Sequence, residues 1–298
     1  MGIIDDIKET LSKAVFSPGT LLSGRGGLHM AQIILSLVTF ILAIFRGASS
    51  HTYWSYAMFT WAFCPIMTLI ITIIEMFKLD IALNMFCMDW PDFTTGMAMS
   101  STLMTVSVAI TYANFYACLK CLYGWIVSVF AFLCCFVYTL EVIKDKILDK
   151  KKGSYLAILP GFFKVMEAFV SCMIFISLTG YSNKPALIAC IIAYAIPFPI
   201  LPVIIATNIL KKLKMCLSFN LDRFVFIFLV ISVVLYIFAA IVWPIFMFRN
   251  NPRPSDCPPS FCIWAIQLVV AVMTYVNLIL FTLDLIFTLL GICGFKRG

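Results

Sequence analysis

Residues 224–248 read FVFIFLVISVVLYIFAAIVWPIFMF and contain no charged side chain. An α-helix needs about 20 apolar residues to cross roughly 30 Å of hydrocarbon, so this stretch is long enough to span a bilayer. Backbone groups within hydrocarbon must be paired inside their own segment, which makes a helix the required conformation. Seven other stretches have the same character, and the eight predicted spans are 28–45, 54–77, 94–117, 122–143, 161–178, 186–210, 224–248 and 263–285.

The composition of the whole chain fits lipid as the solvent. Apolar residues make up 63% of the 298 residues, charged residues make up only 12%, and the mean hydropathy is +1.05. A soluble domain of this size has no way to bury so much apolar surface. The predicted fold class is therefore all-α and integral to the membrane, with eight transmembrane helices.

The distribution of basic residues predicts the orientation. If the N-terminus is cytosolic, the inner segments hold fifteen of the 21 lysines and arginines and the outer loops hold five. Cytosolic loops carry the excess of basic residues, so both termini are predicted to be cytosolic. The lysine-rich inner segments 144–152 and 211–214 are predicted to attract anionic lipids, by about 1 kcal/mol per exposed basic residue. Plain topology signalling is the simpler explanation for the same lysines.

The second half of the chain repeats the first. An offset of 135 residues aligns Gln32 with Glu167, and an offset of 143 aligns Glu141 with Asp284. Each half has an even number of spans, so the halves are predicted to be related by an axis along the membrane normal. Arg25, among glycines, is predicted to lie in a flexible connection before the first span. The predicted division is a cytosolic amphipathic N-terminal segment at 1–27, a four-helix module at 28–152, and a second four-helix module with a short cytosolic tail at 153–298.

Four carboxylates lie within or at the ends of the predicted spans, each on the cytosolic side. An ionisable group in the bilayer indicates a functional site by default. Three of the four have a lysine three residues away, and residues at that spacing share a helix face. The predicted inner-leaflet ion pairs are Glu75 with Lys78, Glu141 with Lys144, and Lys164 with Glu167. A structural collar of paired charges is therefore favoured over a transport site.

Asp284 is the fourth carboxylate, and it has no basic residue within one helical turn. It is predicted to be an intramembrane acid unpaired on its own helix, which needs a partner on another helix, a proton or water. Lys164 and Gln32 lie at similar depth and are the candidate partners. A packing contact is predicted, with a proton relay as the alternative.

Cysteine is abundant, with twelve residues in the chain. Cys257 and Cys262 flank two prolines in the longest outer loop, where an oxidising environment favours a disulfide. Cys118 and Cys121 are also predicted to lie on the outer side. Three states are open for them: a disulfide with each other, cross-pairing with Cys257 and Cys262, or reduced thiols. The candidates for S-acylation at the cytosolic interface are Cys216 and Cys293.

The sequence contains no recognisable catalytic or cofactor-binding motif. It has no HExxH, no paired membrane aspartates, no phosphate-binding glycine loop and no nucleophile triad. The two histidines, His29 and His51, are predicted to lie at opposite membrane faces. The net charge of +7 is explained by inner-face lysines, so nucleic acid is not a predicted partner. No catalytic, cofactor-binding or metal residue is predicted, and the chain is predicted not to be an enzyme.

Several stretches together resemble a known family of membrane proteins. They are 58–64 (MFTWAFC), 160–170 (PGFFKVMEAFV), 235–236 (LY) with 242–244 (VWP), and the eighth span with Asp284. The pattern is similar to the myeloid-associated differentiation marker family, and it extends over nearly the whole chain. The resemblance implies two tandem MARVEL domains, which are four-helix membrane modules with cytosolic termini. It implies no catalytic residues.

The resemblance also implies a function. The family is expected to organise ordered, cholesterol-rich membrane and to act in trafficking or cell-contact architecture, at the plasma membrane. The expected partners are ordered lipids, anionic lipids at the inner face, and cytosolic or membrane proteins of unknown identity. The alternative is a transporter or channel in which Asp284, Glu167 and Asn208 line an inner vestibule.

Overall fold

The computed structural model describes residues 23–47, 49, 51–86, 88–117, 122–144, 159–178, 184–210, 220–249, 251–255 and 262–292. The secondary structure within these ranges is helical. In chain order, the helices are α1 (Gly24–Arg46), α2 (Thr52–Met76), α3 (Leu79–Phe86), α4 (Trp90–Tyr116), α5 (Leu122–Ile143), α6 (Leu159–Ser177), α7 (Pro185–Ala195), α8 (Pro197–Ile209), α9 (Leu221–Phe248) and α10 (Ile263–Ile292).

Seven segments of the described chain are long and apolar enough to cross a membrane. Six of them are the single helices α1, α2, α4, α5, α9 and α10. The seventh is formed by α7 and α8 together. The prediction of a helical, multi-pass membrane protein is therefore confirmed. The helix α6 has 19 residues and coincides with the remaining predicted span, whose membrane crossing stays a prediction.

The first helix begins earlier than the sequence suggested. Gly24 is already helical, and the Ser23 hydroxyl accepts a hydrogen bond from the backbone N–H of Gly26 at 3.1 Å. This serine caps the helix by satisfying one of the free amides of the first turn. The predicted flexible connection around Arg25 is therefore wrong, and the predicted boundary at residue 27 falls inside α1. The segment 1–22 lies outside the described residues.

Prolines divide the sixth predicted span into two helices. The break falls at Ile196, between α7 and α8, and Pro197 begins the second helix. Proline has no N–H to donate and is tolerated best in the first turn of a helix. Pro202 lies inside α8. The two helices are joined by Ile196 alone, whose backbone keeps right-handed helical dihedral angles.

The chain divides into two compact units, of which the first contains α1 to α5. Within it, α1 packs against α2 and α5, and α4 packs against the same two helices. Small side chains at the centre allow this close packing, including the buried Cys64 and Cys134 beside Tyr138. The hydroxyl-rich α4 also buries Ser101 and Thr105.

The second unit contains α6 to α10. Within it, α10 packs against α6 and α9, and α9 packs against α7. Its core is more aromatic than that of the first unit, with Tyr194, Tyr236, Trp243 and Phe281 fully buried together. In both units the interior combines apolar side chains with buried polar ones, and many further aliphatic side chains face outwards.

The outer surface of α9 illustrates this arrangement. Ile227, Val234 and Ile241 follow one another at intervals of seven residues and are 50%, 60% and 58% exposed. Residues two helical turns apart share one face, so they form a continuous apolar stripe. Such a stripe on an integral membrane protein is the surface that meets lipid tails.

Candidate functional site

Buried polar side chains from three helices meet inside the first unit. We call His29, Gln32, Thr72 and Glu141 the first polar cluster. The Glu141 carboxylate of α5 lies 2.9 Å from His29 Nε2 and accepts a hydrogen bond of 2.7 Å from Gln32 Nε2. His29 and Gln32 are three residues apart on α1, which places them on one helix face. His29, Gln32 and Glu141 are 2%, 0% and 6% exposed.

Both ring nitrogens of His29 have a hydrogen-bond partner. Its Nδ1 lies 2.9 Å from the Thr72 hydroxyl oxygen, and that hydroxyl donates its own proton to the Thr68 carbonyl oxygen at 2.7 Å. The Thr72 oxygen can therefore only accept from the ring. An ionised Glu141 also only accepts. Both ring nitrogens thus have an oxygen at hydrogen-bond distance, and Glu141 forms a buried contact with His29 Nε2.

Glu75 has a different partner from the predicted one. It forms an ion pair with Arg25 of α1 at 3.4 Å, and within the described residues it forms none with Lys78. Lys78 adopts a left-handed backbone with a φ of 53°, which takes it out of the helical register of α2. The predicted Glu75–Lys78 pair is therefore wrong, because spacing along a helix has no meaning once the helix has ended.

Glu141 also departs from the prediction. Its two oxygens contact α1, and within the described part of the chain it forms no ion pair with Lys144. The Lys144 ammonium lies beside Gly24 at the start of α1, 3.0 Å from the position that a Cβ of that glycine would take. The prediction from spacing was wrong because a neighbouring helix supplies two better donors.

A small cavity adjoins the first polar cluster. Its polar lining comes from His29, Thr68, Thr94, Ser101, Tyr138 and Glu141. Its volume for water-sized molecules is about 10 Å³, which is close to the minimum that one water molecule needs. The cluster therefore sits next to space for about one water.

The second unit contains a comparable group. We call Lys164, Glu167 and Asp284 the second polar cluster. The Lys164 ammonium of α6 donates a hydrogen bond to Asp284 Oδ2 of α10, and it lies 3.6 Å from Glu167 Oε2. Their exposures are 1%, 0% and 1%. The structure contains the predicted Lys164–Glu167 pair, and it gives Asp284 one of its two candidate partners, so this acid is paired across two helices of the same unit.

A separate hydrogen-bond network lies further along α6 and α10 from the second polar cluster. The Asn277 side-chain amide of α10 donates to the Ser171 hydroxyl at 3.0 Å and to the Tyr236 hydroxyl at 2.8 Å. Ser171 and Tyr236 are also 3.2 Å from each other. All three are fully buried. The network joins α6, α9 and α10, and it was not predicted, because the spacing of single polar residues does not reveal which of them meet.

The two clusters occupy matching places in the repeat. The offset of 135 that aligns Gln32 with Glu167 also aligns His29 with Lys164, and Glu141 aligns with Asp284. Each unit thus has a basic side chain and a second polar side chain one turn apart on its first helix, facing an acid on its last helix. Sequence reasoning missed His29. The internal repeat could have revealed His29, because it aligns this residue with Lys164 in the second half.

The remaining predicted site residues are mostly outside the described ranges. Cys262 is disulfide-bonded, but Cys257 is not among the described residues, so their pairing stays a prediction. The other predicted residues outside these ranges are Cys118, Cys121, Cys216, Cys293, the lysines at 146–152 and those at 211–214. Within the described ranges, no group of three or more histidine, cysteine or acidic side chains is arranged to hold a metal ion.

Several known proteins are similar to this chain over most of its length. Myeloid-associated differentiation marker-like protein 2 of Xenopus laevis is 33% identical, over 88% of this chain and 91% of that protein. The rat protein of the same name is 31% identical, over 91% and 92%. The human myeloid-associated differentiation marker is 30% identical, over 91% and 89%. No family model and no solved structure matches the chain.

The apolar helices and their ion-paired interior define a multi-pass helical membrane protein. Its similarity to these relatives extends over about nine-tenths of both chains. The protein belongs to the myeloid-associated differentiation marker family.

Proposed function

We propose that this protein is a non-enzymatic membrane scaffold that organises ordered, raft-like lipid at the plasma membrane, in trafficking or at cell contacts. Its architecture would be two MARVEL-type four-helix modules with eight spans, of which α6 is the eighth. The observation that carries the proposal is that each unit exposes many aliphatic side chains and pairs buried ionisable side chains with one another inside. Such a surface offers lipids extensive apolar contact.

The lipid-organising part is tested in giant vesicles that separate into ordered and disordered phases. The fluorescently labelled full-length protein should concentrate in the ordered phase. Cys190→Ala is the matched variant, because this side chain is fully buried and does not meet lipid, so its partition should equal that of the natural protein. Equal distribution between the phases, or enrichment in the disordered phase, would contradict the proposal.

The proposed orientation places both termini and the inner loops in the cytosol, where their lysines would attract anionic lipid. It is tested with a membrane-impermeant thiol reagent on intact cells. Ser255→Cys lies in an exposed outer segment by this orientation, and Asp222→Cys lies in an exposed inner one. Ser255→Cys should be labelled in intact cells and Asp222→Cys only after permeabilisation, both measured against the unmodified protein. The reverse pattern would overturn the topology.

Transport is the second candidate, supported by the buried ionisable side chains of the second polar cluster. In that case this cluster, rather than being structural, would pass protons or ions. Proteoliposomes should then show a flux that Asp284→Asn abolishes. Under the scaffold proposal, the natural protein and this variant should both give the background leak of empty liposomes.

A further inference from the structure

The second polar cluster contains one ammonium group and two carboxyl groups in a fully buried setting. Lys164, Glu167 and Asp284 are each at most 1% exposed. Tyr236 of α9 faces the same group. If both carboxyls were ionised, the cluster would hold an uncompensated negative charge. An isolated buried carboxylate is strongly unfavourable, and such groups usually become neutral by taking up a proton.

The hydrogen bonds distinguish the two acids. Asp284 Oδ2 accepts from the Lys164 ammonium. Neither oxygen of Glu167 has a hydrogen-bond donor within the described residues, and Asp284 Oδ1 has none either. The Glu167 carboxyl nevertheless lies within interaction range of the Asp284 side chain. Two ionised carboxylates at this range repel each other, whereas one proton between them gives both a partner.

The first polar cluster has the same arrangement of side chains, but there a neutral side chain supplies the hydrogen-bond donor. Gln32 occupies the position that aligns with Glu167, and its side-chain N–H donates to Glu141 at 2.7 Å. His29 occupies the position of Lys164 and contacts the same carboxylate at 2.9 Å. The first polar cluster is thus a basic side chain, a neutral donor and one acid. A neutral carboxylic acid at position 167 would give the second polar cluster the same combination of groups.

We infer that Glu167 is protonated in the folded protein and donates its proton to Asp284, so that the second polar cluster is a proton-binding site with no net charge. The ligand is a single proton taken from solution. This inference does not depend on the proposed function, because it concerns charge balance inside one unit.

Infrared spectroscopy of the full chain in lipid nanodiscs tests the assignment directly. A buried protonated carboxyl gives a carbonyl stretch that is separate from the carboxylate bands and shifts in heavy water. The natural protein should show this band at neutral pH, and Glu167→Gln should lose it. Cys172→Ala, at an exposed position on α6, is the control and should retain it. A missing band in the natural protein, or one that persists in Glu167→Gln, would overturn the inference.

Thermal unfolding provides an independent readout. An unfolded glutamate releases its proton near about pH 4.3, so a folded protein that retains the proton loses stability as the pH rises above that value. Glu167→Gln keeps a neutral donor and should fold, and its Tm should fall less than that of the natural protein between about pH 5 and 8. Identical pH profiles would count against a bound proton.

A sodium ion is the competing occupant, because carboxyl oxygens also bind hard cations. The unfolding measurement is repeated in sodium chloride and in choline chloride of equal ionic strength. Equal Tm values in the two salts support the proton. Stabilisation by sodium that Glu167→Gln removes would overturn the proton assignment.

Discussion

His29 of α1 and Glu141 of α5 form a buried ion pair, with Nε2 and Oε1 separated by 2.9 Å. The two residues are 112 positions apart in sequence, so the contact holds the first and last helices of the first unit together. Removing one member of a buried pair leaves the other charge without compensation. The stability of the protein is therefore expected to depend more on keeping the two residues paired than on either side chain by itself.

This expectation is tested with a double-mutant cycle. His29→Leu and Glu141→Leu should each destabilise the purified protein, and the double variant should be less destabilised than the sum, with a coupling energy of about 1–3 kcal/mol. Unfolding by a denaturing detergent measures these free energies. Met30→Leu changes a neighbouring, 41% exposed side chain and serves as the control. Additive effects would show that the pair is not coupled.

Lys164 should be the most sensitive residue of the second polar cluster, because it contacts both acids. Lys164→Met should cost about 3–5 kcal/mol by leaving buried acids without a cation. Adding Asp284→Asn and Glu167→Gln to this variant should recover much of the loss. The same unfolding assay provides the measurement. A Lys164→Met variant as stable as the natural protein would mean that the contacts contribute little.

Gln32→Glu gives the first cluster the acid that the second one has. A second acid beside Glu141 should destabilise the protein at neutral pH by about 1–3 kcal/mol. The loss relative to the natural protein should shrink as the pH is lowered, since a protonated glutamic acid can donate as Gln32 does. Gln32→Leu removes the donor without adding charge, so its deficit should change less with pH. The opposite ranking of these two pH dependences would contradict the model of the cluster.

Gly124 marks a close approach between the ends of α4 and α5. A Cβ built there would lie 2.3 Å from the backbone oxygen of Tyr116, so Gly124→Ala forces the backbones apart and should cost about 1–3 kcal/mol. Gly27→Ala is the matched control, because nothing lies within 4 Å of its added Cβ. Its effect should be neutral, or stabilising by up to about 1 kcal/mol through higher helix propensity. Similar effects of both substitutions on Tm would refute the close approach.

Hydropathy and length sufficed to predict the membrane-spanning helices, because the requirements of a hydrocarbon solvent are nearly independent of tertiary contacts. The start of α5 at Leu122 and its end at Ile143 agree with the prediction. The start of α1 does not, since a serine cap extends the helix through glycines of low intrinsic propensity. The break at Ile196 was also missed, although the prolines that cause it were visible.

The ion pairs were less predictable than the helices. Spacing within one helix suggested the partners of Glu75 and Glu141, but Arg25 and His29 reach these acids from another helix. Only the pair of Lys164 with Glu167 has the expected spacing. Which helix faces meet depends on packing between distant segments, and a single sequence constrains that packing only through its internal repeat.

The prolines of the divided span have a mechanical consequence. Pro197, Pro199 and Pro202 have no amide hydrogen, so three positions within six residues of this span donate no backbone hydrogen bond. Elsewhere, bending a helix means stretching or breaking its backbone hydrogen bonds. Here fewer such bonds oppose bending, so we expect the join between α7 and α8 at Ile196 to bend more easily than an uninterrupted helix.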